Sequence, residues 1–308
     1  MIILILKYFF IALAIAYGII FLRDVLKTEK CREQGSYLTS GIIGGSANFL
    51  DTLGIGSYAT STVLLRTFKQ ISDKHLPGVL NVMCPLPTLL QSVIFLQIID
   101  VDGITLLSMV IGATLGGWLG ANFVVKLSEQ KIRVAMAVAL SITALLMLLG
   151  KLHFLPEATH DAIGLTGIKL GFAVVMSVLI GSLGSIGIGF YAPCLALVYL
   201  LGMSAAAAFP IMMSCCATSS AMAGLKFIKS GAYNRKVAVS MVILGLIGVL
   251  FAAFVVKSLP LNILMWIVIG VVFYAAMVLF LTYLKYRKKQ GCSDQLIDDS
   301  NPCNNLGV

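Results

Sequence analysis

Apolar runs of about twenty residues recur along the chain from Met1 to Leu284, separated by short charged connections. At 1.5 Å per residue, that is the length of helix needed to cross the roughly 30 Å hydrocarbon core of a bilayer. Inside such a core every backbone N–H and C=O must find a partner within the protein, so the runs have to fold as packed helices. The chain is 59% hydrophobic and 11% charged, against about 45–50% and 25% in soluble domains. The fold class that follows is an all-α polytopic membrane protein. The net charge of +9 is concentrated in short loops and forms no aromatic-basic face, which suits a lipid bilayer and not nucleic acid. The seven cysteines lack paired metal-ligand spacing, and several fall in apolar runs where a thiol behaves as a small hydrophobe. The residues indicate no cofactor, metal or disulfide framework.

A second constraint is a glycine motif stated twice. Asp51-Thr52-Leu53-Gly54-Ile55-Gly56-Ser57-Tyr58-Ala59 returns as Gly184-Ser185-Ile186-Gly187-Ile188-Gly189-Phe190-Tyr191-Ala192, followed by Pro193. Spaced glycines inside apolar runs mark a helix break or a close approach. At the same spacing Pro77 pairs with Pro210 and Asn81 with Ser214. Further on, Ser108-Met109-Val110-Ile111 recurs as Ser240-Met241-Val242-Ile243, and Phe123-Val124-Val125-Lys126 as Phe254-Val255-Val256-Lys257. The shared order and near-constant offset indicate two repeats, over 37–150 and 164–284, joined by a polar linker at 151–163. Each repeat reads as about five helical segments. These are 37–52, 54–70, 77–99, 104–125 and 134–150, then 164–185, 186–201, 206–225, 237–256 and 262–284. Residues 1–36 add an uncleaved N-terminal helix over 1–22 and a basic loop, and 285–308 form a polar tail. Gly112, Gly116 and Gly120 make a small-residue stripe suited to close helix packing.

Five segments is an odd number, so the second repeat should enter the membrane upside down relative to the first. Loop charges agree. Arg66, Lys69 and Lys74 follow the second segment of the first repeat, whereas 202–205 has no basic residue. The next loops reverse this bias, with Asp100 and Asp102 against Lys226, Lys229, Arg235 and Lys236. When the helices are threaded alternately, all of the 22 Lys and Arg except Lys7, Lys151, Lys169 and Lys257 fall on one side. This is the signature of inverted-topology repeats under the positive-inside rule. It gives a multi-pass cell-membrane protein with its N-terminus outside and its C-terminus cytoplasmic. A re-entrant hairpin over 37–70 would leave this parity unchanged.

Gly-broken helices at matching positions of inverted repeats point to a transport site near the midplane, and half-helix N-termini suit an anion. The plainer reading is that the glycines only permit tight packing. The candidate substrate-binding residues are Gly54, Ile55, Gly56, Ser57, Gly187, Ile188, Gly189 and Tyr191, with Asn81 and Ser214 from the third segments. Asp51 is a carboxylate well inside an apolar segment, where a charge costs roughly 2.5–3.5 kcal/mol on insertion scales. It could relay protons, pair with a cation, or cap the helix starting near Leu53. Its counterpart is Gly184, so any role is asymmetric, and an ionised carboxylate would repel an anion. Asp51 is therefore a proton-coupling candidate and not a direct ligand. Pro85 and Pro87 should kink the third segment and free backbone carbonyls. Thr218, Ser219 and Ser220 supply hydroxyls that could meet oxyanion oxygens or neighbouring helices. The signals of a membrane enzyme are missing: there is no H-E-x-x-H, no G-x-S-x-G elbow, and His75, His153 and His160 fall in loops or at segment ends.

With its G-I-G motif opening each half, Pro77 or Pro210 leading into a small-polar segment, and the paired SMVI and FVVK words, the chain resembles the TauE/SafE sulfite-exporter family of membrane permeases. The resemblance covers most of 37–284. It implies transport of sulfur oxyanions such as sulfite, or of organosulfonates, commonly by export. Asp51-Thr52 before Gly54 and the fused helix 1–22 depart from the family pattern. The expectation is a permease for a small anionic substrate held between the two repeats. The alternatives are proton-coupled uptake of an organic anion through Asp51, or a membrane-embedded enzyme.

Overall fold

A computed structural model of the protein describes residues 2–27, 34–54, 56–124, 162–185, 187 and 189–258. The expected segments 134–150 and 262–284, linker residues 151–161, the tail, Ile55 and Ile188 lie outside the described residues. The helices are α1 (Ile2–Lys27), α2 (Tyr37–Thr52), α3 (Ser57–Thr67), α4 (Leu76–Met83), α5 (Pro85–Ile98), α6 (Gly103–Val124), α7 (Gly167–Gly184), α8 (Tyr191–Leu200), α9 (Ala205–Ser230) and α10 (Arg235–Ser258). Among the described residues six stretches are long and apolar enough to cross a membrane, with α4 and α5 together forming one of them. Large apolar side chains point outward, including Phe172, Val175 and Leu179 on α7 and Ile243, Ile247 and Leu250 on α10. Asn48, Asp51, Asn81 and Gln91 are buried inside. Apolar residues outside and polar ones inside are the arrangement of a bilayer protein, and the chain is a multi-pass α-helical membrane protein.

Hydrogen bonds sort the loops into two faces. On one face, Ser36 N donates to Gln70 Oε1 at 2.8 Å, Asn234 Nδ2 to Gln34 O at 2.9 Å, and Arg235 Nε pairs with Asp24 at 2.9 Å. On the other, Asp102 N donates to Ile163 O at 2.8 Å, Ser204 N to Ala162 O at 3.0 Å, and Lys169 Nζ to Leu201 O at 3.2 Å. The first face holds the basic loops around 66–74 and 226–236, and the second holds Asp100 and Asp102.

The start of α2 and the end of α3 both lie on the basic face, because Gln70 binds Ser36 N and also accepts from Ser40 Oγ at 3.3 Å. Residues 37–67 therefore enter and leave by the same side as a re-entrant helical hairpin. At 1.5 Å per residue α2 and α3 are about 24 and 16 Å long, so the hairpin tip lies deep in the membrane. Residues 167–200 form a second hairpin from the opposite face, its ends tied by Lys169 to Leu201.

The hairpins are anchored through glycines. α2 lies along α10, and α6 along α7. A Cβ at Gly44 would collide with the Met241 backbone, and one at Gly248 with Gly45 O. In the other pair, Cβ atoms at Gly116 and Gly120 would collide with Val178 O and Ser182 O, and one at Gly181 with Ala113 O. The stripe read from the sequence is thus the seam of α6 on α7. α9 runs through the centre against α4, α5 and α6. The proline pair splits the third segment at Cys84 into α4 and α5, and Tyr17 on α1 donates to Val82 O beside this break at 3.2 Å. Gly116→Ala should destabilise the protein by about 1–3 kcal/mol through overpacking. Gly171→Ala, which meets nothing within 4 Å, should leave the melting temperature in detergent close to wild type.

Candidate functional site

Each hairpin turns through glycines that only a residue without Cβ accommodates readily. Gly54 and Gly56 have φ of 90° and 86°, and Gly187 has 101°. The two tips meet: a Cβ on Gly56 would lie 3.7 Å from Tyr191 Cβ, and one on Gly189 would lie 3.8 Å from Tyr58 Cβ. The contact is reciprocal, each hairpin offering its tyrosine to the other's glycine. The structure therefore brings Gly54, Gly56, Ser57, Gly187, Gly189 and Tyr191 together at one locus.

The two tyrosines continue the exchange through hydrogen bonds. Tyr58 Oη donates to Asn81 Oδ1 at 3.2 Å, and Asn81 Nδ2 donates to Pro77 O at 2.9 Å and Ser185 O at 3.2 Å. Asn81 thus holds the open backbone of the second break. Its counterpart Ser214 is equally buried, but its hydroxyl meets no partner among the described residues.

At the first break Asp51 caps α3. Its Oδ1 accepts the Ser57 backbone N–H, so the carboxylate already occupies the positive end of that half-helix. Its Oδ2 lies 3.0 Å from Tyr191 Oη, which is also 2.9 Å from Gln91 Oε1. Gln91 is oriented by its own amide, which donates to Thr52 Oγ1 at 3.0 Å, while Thr52 donates to Asn48 O at 2.8 Å. A phenol carries one proton, and here it faces two acceptors whenever Asp51 is ionised. The network closes completely when Asp51 holds a proton and gives it to Tyr191, leaving the Tyr191 proton for Gln91. The arrangement can thus take up one proton without moving a heavy atom.

Between the tips, Tyr58, Asn81, Phe190, Cys216, Ser219 and Ser220 close around the backbone of Gly184 and leave a crevice too narrow for a water-sized sphere. An anion could be held here only after these side chains part. Cys216 Sγ lies 3.9 Å from Cys84 Sγ on the facing segment. Among the described residues no group of His, Cys, Asp and Glu could hold a metal ion.

Sequence reasoning did not single out Gln91 or Cys84, and gave Thr52 and Phe190 no role in the site. For Gln91 a signal existed, since it is an amide inside an apolar run. A double-mutant cycle of Asp51→Ala and Tyr191→Phe should give a coupling of about 0.5–3 kcal/mol in detergent unfolding, as directly bonded neighbours do. Independent, additive effects would show that the two side chains do not meet.

Comparison with known sequences places the chain in a family. No curated protein matches the chain. The model of the sulfite exporter TauE/SafE family matches residues 3–147 and 169–302, taking in both hairpins and also α1. The match spans nearly the whole chain, and the protein belongs to the sulfite exporter TauE/SafE family.

Proposed function

We propose that the protein is a permease that exports small sulfur-containing anions, such as sulfite or organosulfonates. The anion is held near the midplane between two inverted-topology repeats, 37–150 and 164–284. The observation that carries this reading is the meeting of two oppositely inserted hairpins at Gly56–Tyr191 and Gly189–Tyr58, beside the crevice lined by Asn81, Ser219 and Ser220. Opposed half-helices converging on a buried polar point are how inverted-repeat transporters build their sites. Family membership supports transport over membrane enzymology.

The two breaks differ in what they offer. Asp51 fills the N-terminus of α3, whereas Gly184 stands in its place before α8. The anion therefore sits toward the second break, in reach of Asn81 Nδ2 and the Ser219 and Ser220 hydroxyls. Gly54, Gly56, Gly187 and Gly189 shape the tips, and Ser57, Ser214 and Tyr191 border the site. The basic face is cytoplasmic by the positive-inside rule, which puts the N-terminus outside. Moving one negative charge outward gains about 2.3 kcal/mol per 100 mV of inside-negative potential, so export runs downhill without a coupling ion.

A second reading, proton-coupled uptake, draws on the Asp51–Tyr191–Gln91 network, which has room for one proton. Flux of labelled sulfite and organosulfonates into and out of proteoliposomes separates the two. Export predicts saturable flux driven by membrane potential, lowered at least tenfold by Asn81→Ala and little affected by Asp51→Asn. If flux instead follows a pH gradient and Asp51→Asn abolishes that dependence, uptake is the correct direction. Absence of saturable flux for every such anion would refute both.

A further inference from the structure

Most buried hydroxyls in the described residues are satisfied locally, because a helical Ser or Thr can donate to the carbonyl one turn back. Thr88, Ser92, Ser177 and Thr218 all do so, at 2.8–3.1 Å. On α3 the outer-facing Thr67 also takes this bond, at 2.8 Å. The buried face of the same helix behaves differently. Ser57, Ser61 and Thr62 are at most 1% exposed, and the hydroxyls of Ser61 and Thr62 have no hydrogen-bond partner among the described residues. The Ser57 hydroxyl is within reach of the Asp51 carboxylate, which also takes the Ser57 backbone N–H. One turn beyond Thr62, Arg66 donates through Nε to Asp73 Oδ1 at 2.9 Å, and its buried Nη2 has no partner among the described residues.

An unpaired buried hydroxyl is costly, and Ser61 and Thr62 leave two of them on one 11-residue helix. At 100° per residue, Ser57, Ser61, Thr62 and Arg66 fall within about half the helical circumference. They run from the hairpin tip to the basic face. The returning helix of the other hairpin reads Tyr-Ala-Pro-Cys-Leu-Ala-Leu-Val-Tyr-Leu, without a Ser, a Thr or a cation.

We infer that the buried face of α3 is an oxyanion-binding lane, in which Ser61 and Thr62 with the free Arg66 Nη2 hold a sulfur oxyanion between the basic face and the hairpin tip. Asp73 fixes the guanidinium through Nε and leaves the buried Nη2 without a partner among the described residues. The donor set has several hydroxyl hydrogens and one cation, and suits an anion with three oxygens that must shed water by stages. This rests on the anion-transport reading above and adds a second binding position, on the helix whose end lies on the basic face.

The test uses the full-length protein in detergent and in proteoliposomes, with Ser61→Ala/Thr62→Val and, separately, Arg66→Lys. Thermal melts are measured with sodium sulfite, sulfate and methanesulfonate. We expect wild type to be stabilised by at least one of these anions. The double variant should melt higher than wild type without anion, because unpaired hydroxyls have been removed. It should bind the anion at least tenfold more weakly, and its flux should fall accordingly. Arg66→Lys, which keeps the charge and the Asp73 pair, should weaken binding less. If the double variant melts lower and binds as wild type does, the hydroxyls are structural and the lane is refuted. If wild type binds anions through these residues but transports none, the transport reading fails and the lane stands. If no oxyanion stabilises wild type, both fail.

Discussion

A helix broken inside a bilayer has no water to satisfy its exposed amides and carbonyls, and the architecture of this protein answers that requirement. At the first break Asp51 takes the Ser57 N–H. At the second, the Asn81 amide reaches Ser185 O. Neither solution is local to the opposite half: Tyr191 from the second hairpin braces Asp51, and Tyr58 from the first braces Asn81. The first break is braced by Tyr191 of the second hairpin, and the second is held by Asn81 of α4, which Tyr58 of the first hairpin braces in turn.

This interdependence explains why the scaffold is so tightly joined elsewhere. The hairpins can keep their tips in register only if their long arms are fixed, and the α2–α10 and α6–α7 seams do this with glycines that bring backbones into contact. Packing of that closeness supplies the van der Waals attraction that membrane helices use in place of a hydrophobic force. The central helices α4, α5 and α9 then carry the polar side chains. Rigid arms around a polar centre suit a site that opens by small displacements of Tyr58 and Phe190 rather than by unfolding of the breaks.

Much of this plan was legible in the sequence because its causes are periodic or steric. The glycines at 54–56 and 187–189 read as breaks or close approaches because they recur at matching places, and Gly54 and Gly187 do adopt positive φ. The loops around 66–74 and 226–236 had to share a face, since their charge bias says so. The hairpin geometry was harder to read, as nothing local distinguishes two short spans from one re-entrant pair. It became visible only through Gln70 meeting Ser36. Gln91 was missed because its partner Tyr191 lies 100 residues away. Asn81 and Ser214 looked equivalent by register, yet only Asn81 has the reach to cross between halves. Ser61 and Thr62 read as ordinary helix residues, since a hydroxyl in a membrane helix usually satisfies itself.

The asymmetry between the halves is where duplication gives way to function. A strictly symmetric pair of hairpins would offer an anion the same environment from either side and would give transport no preferred face. Here the first hairpin carries Asp51 at its tip and an unpaired hydroxyl face on its return helix, and the second has Gly184 and an apolar return. Under the proposed transport reading, a negative charge at one tip would push an anion toward the other, and the donors along α3 would give it a route in from the basic side. In that reading the paired features build the meeting point, and the unmatched residues set which way it is approached.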